Sequence, residues 1–321
     1  MVSYQSIQLL RWIAATLVML AHVGVGQHSY KGIDLLFAIS GFVIYLSSYQ
    51  KMGTGFEAAL NFLKKRCIRV YSFYWLTLFS LLLSGLYSLA FNFNYFKVVF
   101  LIPSHQSFLT LTWSLSYELY FYGLISLVIA YLKPEKAHKA LLGFWLLTSF
   151  LLLLQWSDYS LKRKAINFLV GQNIWQILTG SIACMYFIES AAKSKASHLK
   201  IAVLFFCGML LFFAYASYYS TLSFLLTGLG SASIILSLVL LEERGRIPFP
   251  QLFIRLGNAS YVAYLIHIPL FHFFRPQINQ NLAMQCLLIF VVWTISVLLH
   301  ELIEKPMVYQ LNKYLISNKS N

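Results

Sequence analysis

Charged residues are scarce in this sequence. They make up 11% of its 321 residues, against about 25% in an ordinary soluble domain, and only 10 of them are acidic. A soluble domain needs a polar surface, so this scarcity excludes the common soluble classes. Cysteine is also rare, with four residues scattered along the chain. Their spacing argues against both a zinc site and a disulfide framework.

Hydrophobic residues, in contrast, make up 59% of the chain. They form apolar runs of about 20 residues, the length that crosses a bilayer as a helix. We predict ten such spans, at residues 7–26, 33–50, 69–90, 112–132, 139–156, 168–189, 200–217, 221–241, 257–275 and 282–303. The expected fold is therefore an all-α, polytopic membrane helical bundle. Because the spans and their short connections use nearly the whole chain, residues 1–321 are expected to form one transmembrane domain without a fused soluble domain.

The basic residues predict the orientation of this bundle. An even number of spans puts both termini on one side of the membrane. If that side is the cytoplasm, 17 of the 24 lysines and arginines lie inside and six lie outside, with Arg11 inside the first span. This is a positive-inside distribution. The net charge of +14 therefore indicates a lipid bilayer as partner and no nucleic acid.

Several ionisable residues lie within the predicted spans, where each costs at least a few kcal/mol. Arg11 and His22 share one face of the first span, about 16 Å apart along its axis. Asp34 lies at the outer mouth of the second span, with Ser40 about 9 Å deeper. Glu118 lies about 9 Å below the outer boundary of the fourth span. We expect His22, Asp34 and Glu118 to meet in the outer half of the membrane.

Two arginines lie at the opposite, cytoplasmic end. Arg66 and Arg69 are spaced i and i+3, so they share a helix face, and Arg11 lies near the same level. Guanidinium groups bind phosphates through paired donors, whereas a histidine near a carboxylate suits general-base work on a hydroxyl. The pattern predicts a phosphate-bearing donor that enters from the cytoplasm and reacts with a hydroxyl from the other side.

Six segments carry these residues in one order along the chain. They are RWIAATLVMLAH with Arg11 and His22, GIDLLFAISGFVIY with Asp34, Ser40 and Gly41, RCIRVYSFYW with Arg66 and Arg69, TWSLSYELYFY with Trp113 and Glu118, NASYVAYLIHIPL with Ser260, Tyr264 and His267, and HELIEKP with His300, Glu304 and Pro306. Together they resemble the motifs of the acyltransferase 3 family, bacterial membrane acyltransferases that include O-antigen and exopolysaccharide O-acetyltransferases. The resemblance runs from Arg11 to about Pro306.

The resemblance implies transfer of an acyl group, usually acetyl from acetyl-CoA, across the bacterial cytoplasmic (inner) membrane to a hydroxyl of an envelope or secreted glycan. It implies that His22 acts as general base or transient acyl carrier, and it involves no metal. The other expected roles are as follows: Glu118 and Asp34 as catalytic partners of His22; Arg66, Arg69 and Arg11 as ligands of the coenzyme A phosphates; Trp113, Ser40 and His267 as acceptor-binding residues.

Two alternatives share these features. A transporter or flippase of a glycan or small anion also places charges along a membrane path, although the sequence lacks the internal repeats of many transporters. An acyltransferase with a non-glycan acceptor, such as a macrolide or a lipid, would use the same machinery.

Overall fold

All regular structure in the described part of the chain is helical. The computed structural model describes residues 4–26, 28–51, 54–84, 93–102, 112–132, 134–153, 168–169, 171–191, 197–214, 221–245, 249–274 and 281–316. Within these ranges no strand occurs. The all-α prediction is therefore confirmed.

The helices follow the predicted spans closely. Their bounds are α1 Gln5–His22, α2 Gly32–Lys51, α3 Phe56–Leu83, α4 Phe93–Val99, α5 Thr112–Tyr131, α6 Pro134–Leu153, α7 Gln172–Ala191, α8 His198–Phe213, α9 Thr221–Glu243, α10 Gln251–Asn258, α11 Ser260–Phe273, α12 Leu282–Leu299 and α13 Lys305–Ile316. A 3-10 turn at Ser29–Lys31 precedes α2, and a π-helical turn at His300–Glu304 joins α12 to α13. Each of the ten predicted spans overlaps one of the longer helices.

Four helical stretches in the described residues are long and apolar enough to cross a membrane. These are Ser29–Ser48, Trp113–Tyr131, Leu222–Glu243 and Leu282–Ile316. Shorter helices show the same outward apolarity: in α8, Phe206 is 65% exposed and Leu210 is 73% exposed. Side chains of this kind suit contact with lipid and not with water. The protein is therefore a membrane protein, while ten crossings and cytoplasmic termini stay predictions.

Helix α3 begins earlier than the predicted span at 69–90. It starts at Phe56 and runs for 28 residues, about 42 Å. The basic run at 64–69 is therefore part of the helix and not an entry to it. Lysine and arginine are good helix formers, so the basic run does not end the helix. Its charges limit only how deeply this part of the helix can lie in lipid.

The described helices divide into two compact units. The first unit comprises Met1–Gly55 and Tyr131–Gly257. In it α2 packs against α1, α7 and α9, α7 also packs against α6 and α9, and α8 packs against α9. The second unit comprises Phe56–Ala130 and Asn258–Asn321. In it α11 packs against α12 and α3, and α13 packs against α3.

Two glycines let α2 and α7 approach at backbone distance in the first unit. A Cβ atom on Gly41 would lie 1.8 Å from the carbonyl oxygen of Ile177, and one on Gly180 would lie 1.9 Å from that of Ala38. Small residues at helix contacts are typical of membrane bundles. The close approach sets the position of the helix that carries Asp34 and Ser40.

The first turn of α1 is tied to the end of α9. The Glu242 carboxylate accepts hydrogen bonds from the backbone N–H groups of Gln5, at 2.6 Å, and Ser6, at 2.7 Å. The Tyr4 hydroxyl donates to Glu243. A carboxylate at a helix N-terminus satisfies N–H groups that lack helical partners and is favoured by the helix dipole. This contact anchors the helix that ends at His22.

In the second unit, four side chains hold the end of the short helix α4. The hydroxyls of Tyr71, Tyr74 and Ser116 and the indole N–H of Trp75 donate to the carbonyl groups of residues 98–101. Carbonyl groups at a helix end need such partners, above all in lipid. The contacts attach α4 to α3 and to the first turns of α5, where Trp113 and Glu118 lie.

Candidate active site

His22 is the last residue of α1, and its side chain is exposed. Its Nδ1 lies 2.8 Å from the carbonyl oxygen of Val18, one turn earlier. A carbonyl oxygen only accepts, so Nδ1 carries the proton of this hydrogen bond. In the neutral ring the basic nitrogen is then Nε2, which is the protonation pattern that a general base needs. Arg11 lies on the same unbroken helix and is partly buried.

Asp34, in contrast, is buried. It lies in the first turn of α2 with 2% of its surface exposed, and its Oδ1 has no hydrogen-bond partner among the described residues. Lys31 is its favourable electrostatic neighbour. The helix N-terminus also favours this carboxylate. His22 and Asp34 therefore have opposite surroundings, one exposed and one buried.

Lys31 is a residue that sequence reasoning missed, because the positive-inside pattern makes it simply one of the six basic residues expected outside. Its side chain is fully buried. Its Nζ donates a 2.6 Å hydrogen bond to the carbonyl oxygen of Phe212, near the end of α8, and lies 6.0 Å from the centre of the Phe212 ring. The signal that could have revealed it is its spacing, three residues before Asp34 across a helix start.

The second unit contains a cluster around Arg66. This guanidinium is 8% exposed, and its central carbon lies 5.4 Å from the ring centre of Phe62 and 5.6 Å from that of Tyr122. The Tyr122 hydroxyl donates a 2.6 Å hydrogen bond to Oε1 of Glu118. Arg66 also interacts electrostatically with Glu118 and Arg69. We call Phe62, Arg66, Arg69, Glu118 and Tyr122 the arginine cluster.

This cluster corrects one geometric expectation. The sequence predicted Arg66 at the cytoplasmic end of the protein and Glu118 towards the outside. The structure instead brings both charges to one tyrosine. Hydropathy alone predicted a span that starts at residue 69, whereas α3 is one continuous helix from Phe56. Arg66 therefore lies within α3 and not at its start, and its side chain reaches Tyr122 of α5.

In the second unit, Trp113 and His267 each lie beside a tyrosine ring, Tyr117 and Tyr264 respectively. The Trp113 ring meets Tyr117 edge-on, with 6.1 Å between ring centres. The next residue, Ser114, forms a 2.5 Å hydrogen bond with the Tyr264 hydroxyl. The Tyr264 ring centre lies 5.9 Å from that of His267. His267 is fully buried, with Nδ1 3.1 Å from the carbonyl oxygen of Ala263.

Comparison with known proteins identifies the chain. A family model described as an acyltransferase domain, the acyltransferase 3 model, matches residues 4–301, nearly the whole sequence. The chain belongs to the acyltransferase 3 family. No curated protein and no solved structure matches it. The match covers parts of both units and includes every predicted site residue, so this chain is a membrane acyltransferase.

The last motif of this acyltransferase forms the π-helical turn between α12 and α13. Nδ1 of His300 lies 2.5 Å from Oε2 of Glu304, which is buried. Glu301 accepts a 2.6 Å hydrogen bond from Lys305 on the exposed side. Single π turns inside helices often mark functional positions. Here the turn directs Glu304 inward and Glu301 outward.

The two units of the acyltransferase offer different chemical groups. The first unit offers a histidine with a basic Nε2 and a buried carboxylate that has a buried lysine as its electrostatic neighbour. The second unit offers guanidinium groups that can hold phosphates and a carboxylate beside them. In the described residues no three His, Cys, Asp or Glu side chains gather in an arrangement that could hold a metal ion.

Proposed function

We propose that this acyltransferase transfers an acetyl group from acetyl-CoA, bound from the cytoplasm, to a hydroxyl of an envelope or secreted glycan at the bacterial inner membrane. The observation that carries the proposal is the arginine cluster. Arg66 and Arg69 lie one turn apart on α3, and Arg66 is buried among aromatic rings. A buried guanidinium with its planar donors suits a phosphate group. Coenzyme A is the common acyl donor that carries phosphates.

His22 supplies the proton transfer in this proposal. Its Nε2 takes the proton of the acceptor hydroxyl, and the hydroxyl oxygen attacks the thioester carbonyl carbon. The carbon–sulfur bond then breaks, and the coenzyme A thiolate leaves with the electron pair and receives the proton from the imidazolium. The hydrogen bond from Nδ1 to Val18 supports this role, because it orients the ring and leaves Nε2 as the base.

The remaining residues have assisting roles. Arg11 adds a third cation for the donor, Asp34 and Glu118 stabilise positive charge, and Trp113, Ser40 and His267 bind the acceptor. Among these, Trp113 offers an aromatic face of the kind that packs against sugar rings. Lys31 joins them as the buried countercharge of Asp34.

A second course uses the same residues. Nε2 of His22 attacks the thioester itself, coenzyme A leaves, and the acyl-imidazole then passes its acyl group to the acceptor. Pre-steady-state kinetics separates the two courses. An acyl-histidine course releases about one equivalent of coenzyme A per enzyme molecule before any acceptor is added, whereas general-base transfer releases none.

Acceptor-dependent turnover tests the proposal. We expect the purified protein in detergent to release coenzyme A from acetyl-CoA when crude envelope glycan is present, without any membrane gradient. A transporter would release none under these conditions. Release with a lipid or macrolide extract, but not with glycan, would replace the glycan acceptor. Mass spectrometry of envelope polysaccharide from cells with and without the protein would then identify the acetylated sugar.

A further inference from the structure

Tyr122 contacts two charged residues of the arginine cluster, Arg66 and Glu118, with different parts of one side chain. Its ring lies 5.6 Å from the guanidinium carbon of Arg66, and its hydroxyl donates a 2.6 Å hydrogen bond to Glu118. The side chain is 2% exposed. Its ring also meets Phe62 edge-on, at 6.2 Å between centres and 86° between planes. Two nearly perpendicular rings therefore bound the position of the guanidinium.

From these contacts we propose that Tyr122 is the positioning residue of the donor site: its ring orients Arg66 while its hydroxyl holds Glu118. The assignment rests on the proposed function, in which Arg66 binds the phosphates of coenzyme A. The sequence pattern alone favours packing for Tyr122, because a tyrosine in an apolar helix commonly fills space.

The geometry of a guanidinium explains why an aromatic ring suits this task. The five N–H donors of arginine lie in the plane of the group, whereas a ring contacts its face. Contact with Phe62 and Tyr122, whose rings are nearly perpendicular, therefore restricts the orientation of Arg66 while occupying at most part of its donors. A guanidinium that is already oriented loses less conformational entropy when a phosphate binds.

The hydroxyl of Tyr122 acts on the opposite charge. Glu118 lies within electrostatic range of Arg66, and arginine readily forms a two-bond pair with a carboxylate. By holding Oε1 of Glu118, the Tyr122 hydroxyl fixes this carboxylate on one side of the cluster. Loss of the hydroxyl would remove this restraint on Glu118 and so alter the charge that the phosphates meet beside Arg66.

Two variants separate the two contacts. Tyr122→Phe keeps the ring beside Arg66 and releases Glu118, whereas Tyr122→Leu removes both contacts. Tyr131→Phe is the matched control, because Tyr131 lies at the end of the same helix and is 77% exposed. Arg66→Ala and the double variant Arg66→Ala/Tyr122→Leu complete the set.

The experiment measures coenzyme A binding by calorimetry and the KM and kcat for acetyl-CoA on the full chain in detergent, with thermal unfolding as a check. We expect Tyr122→Phe to weaken coenzyme A binding about five-fold and Tyr122→Leu about 20-fold, in line with the loss of one or both contacts. The kcat at saturating donor should fall by less than the donor affinity does, because His22 and the charge of Glu118 are retained. Tyr131→Phe should bind as the wild type does.

Positioning makes a further prediction for the double variant. If Tyr122 acts through Arg66, adding Tyr122→Leu to Arg66→Ala should weaken binding by less than about two-fold. If Tyr122 were merely structural, its replacement would lower the unfolding temperature without raising KM. The unfolding temperature would then fall by the same amount in Arg66→Ala as in the wild type.

Four outcomes overturn the assignment. They are unchanged coenzyme A binding in a folded Tyr122→Phe, a fall in kcat without a rise in KM, additive losses in the double variant, and an equal loss in Tyr131→Phe. If Tyr122→Leu does not fold, Tyr122→Phe decides by itself. If the wild type neither binds nor releases coenzyme A, the proposed function fails first, and the role of Tyr122 fails with it.

Discussion

Nδ1 of His22 and the carbonyl oxygen of Val18 lie 2.8 Å apart, one turn from each other in α1. The backbone of the helix thus performs the task that a carboxylate performs in many histidine-based enzymes. It fixes the proton on one ring nitrogen and presents the other as the base. The capped start of α1, held by Glu242, keeps this helix in place at its opposite end.

His22→Ala should abolish most of the transfer without unfolding the protein. We expect kcat to fall by about 10² to 10⁴-fold, the usual contribution of a general base, because Nε2 can no longer take the acceptor proton. The unfolding temperature should stay close to that of the wild type, since the side chain is exposed. Acceptor-dependent coenzyme A release measures the first effect. His198→Ala, an exposed histidine at the start of α8, is the control, and equal rates for all three proteins would remove His22 from the chemistry.

Lys31→Met should destabilise the first unit because it leaves Asp34 buried without its countercharge. Removing one of two buried, interacting charges costs up to about 3–5 kcal/mol, and the hydrogen bond to Phe212 is also lost. Denaturation in detergent should show this as a lower unfolding midpoint. Lys31→Met/Asp34→Asn should recover part of the loss, whereas Lys305→Met, with a side chain 62% exposed, should have little effect. A Lys31→Met variant as stable as the wild type would contradict the buried pair.

Gly180→Ala should separate α2 from α7. The added methyl group would lie 1.9 Å from the carbonyl oxygen of Ala38, so one helix must move, at a cost of about 1–3 kcal/mol or more. Gly143→Ala in α6 is the matched control, because no described atom lies within 4 Å of its Cβ position. Alanine there should be neutral or stabilise the helix by up to about 1 kcal/mol. Thermal unfolding of the two variants, measured side by side, should place Gly180→Ala below the wild type and Gly143→Ala at or above it.

Tyr74→Phe should weaken the attachment of α4. Leu101, two residues after the end of α4, lies in the left-handed region at φ 54°. The carbonyl of Val98 accepts a 2.7 Å hydrogen bond from the buried Tyr74 hydroxyl. Removing that hydroxyl leaves a buried carbonyl with one partner fewer, at a cost of about 1–3 kcal/mol. Tyr71→Phe removes a similar bond to Phe100 at an exposed position and should cost less, because an exposed group has more freedom to find another partner than a buried one. Equal losses in the two variants would show that burial does not govern this contact.

Local sequence features were enough to predict the helices. Apolar runs long enough to cross a bilayer must form helices, because an unpaired backbone group in lipid is too costly. The hydropathy of the chain therefore predicted ten helices that the structure also has, from α1 to α12. The motifs around Arg11, Asp34, Arg66, Glu118, His267 and His300 likewise sufficed to predict the family, since they depend on residue type and order alone.

Contacts between distant residues could not be obtained in this way. Nothing near Arg66 in the sequence indicates that Tyr122 lies beside it, because the two are 56 positions apart and meet only when α3 packs with α5. The burial of Lys31 is similar, since its partner carbonyl belongs to Phe212. Hydropathy reports how readily a side chain enters lipid or water, whereas packing determines which other side chain it meets. The sequence alone thus indicated which residues could take part in the proposed chemistry. Only the tertiary structure showed that Glu118 lies in one cluster with Arg66 and that Lys31 is the buried neighbour of Asp34.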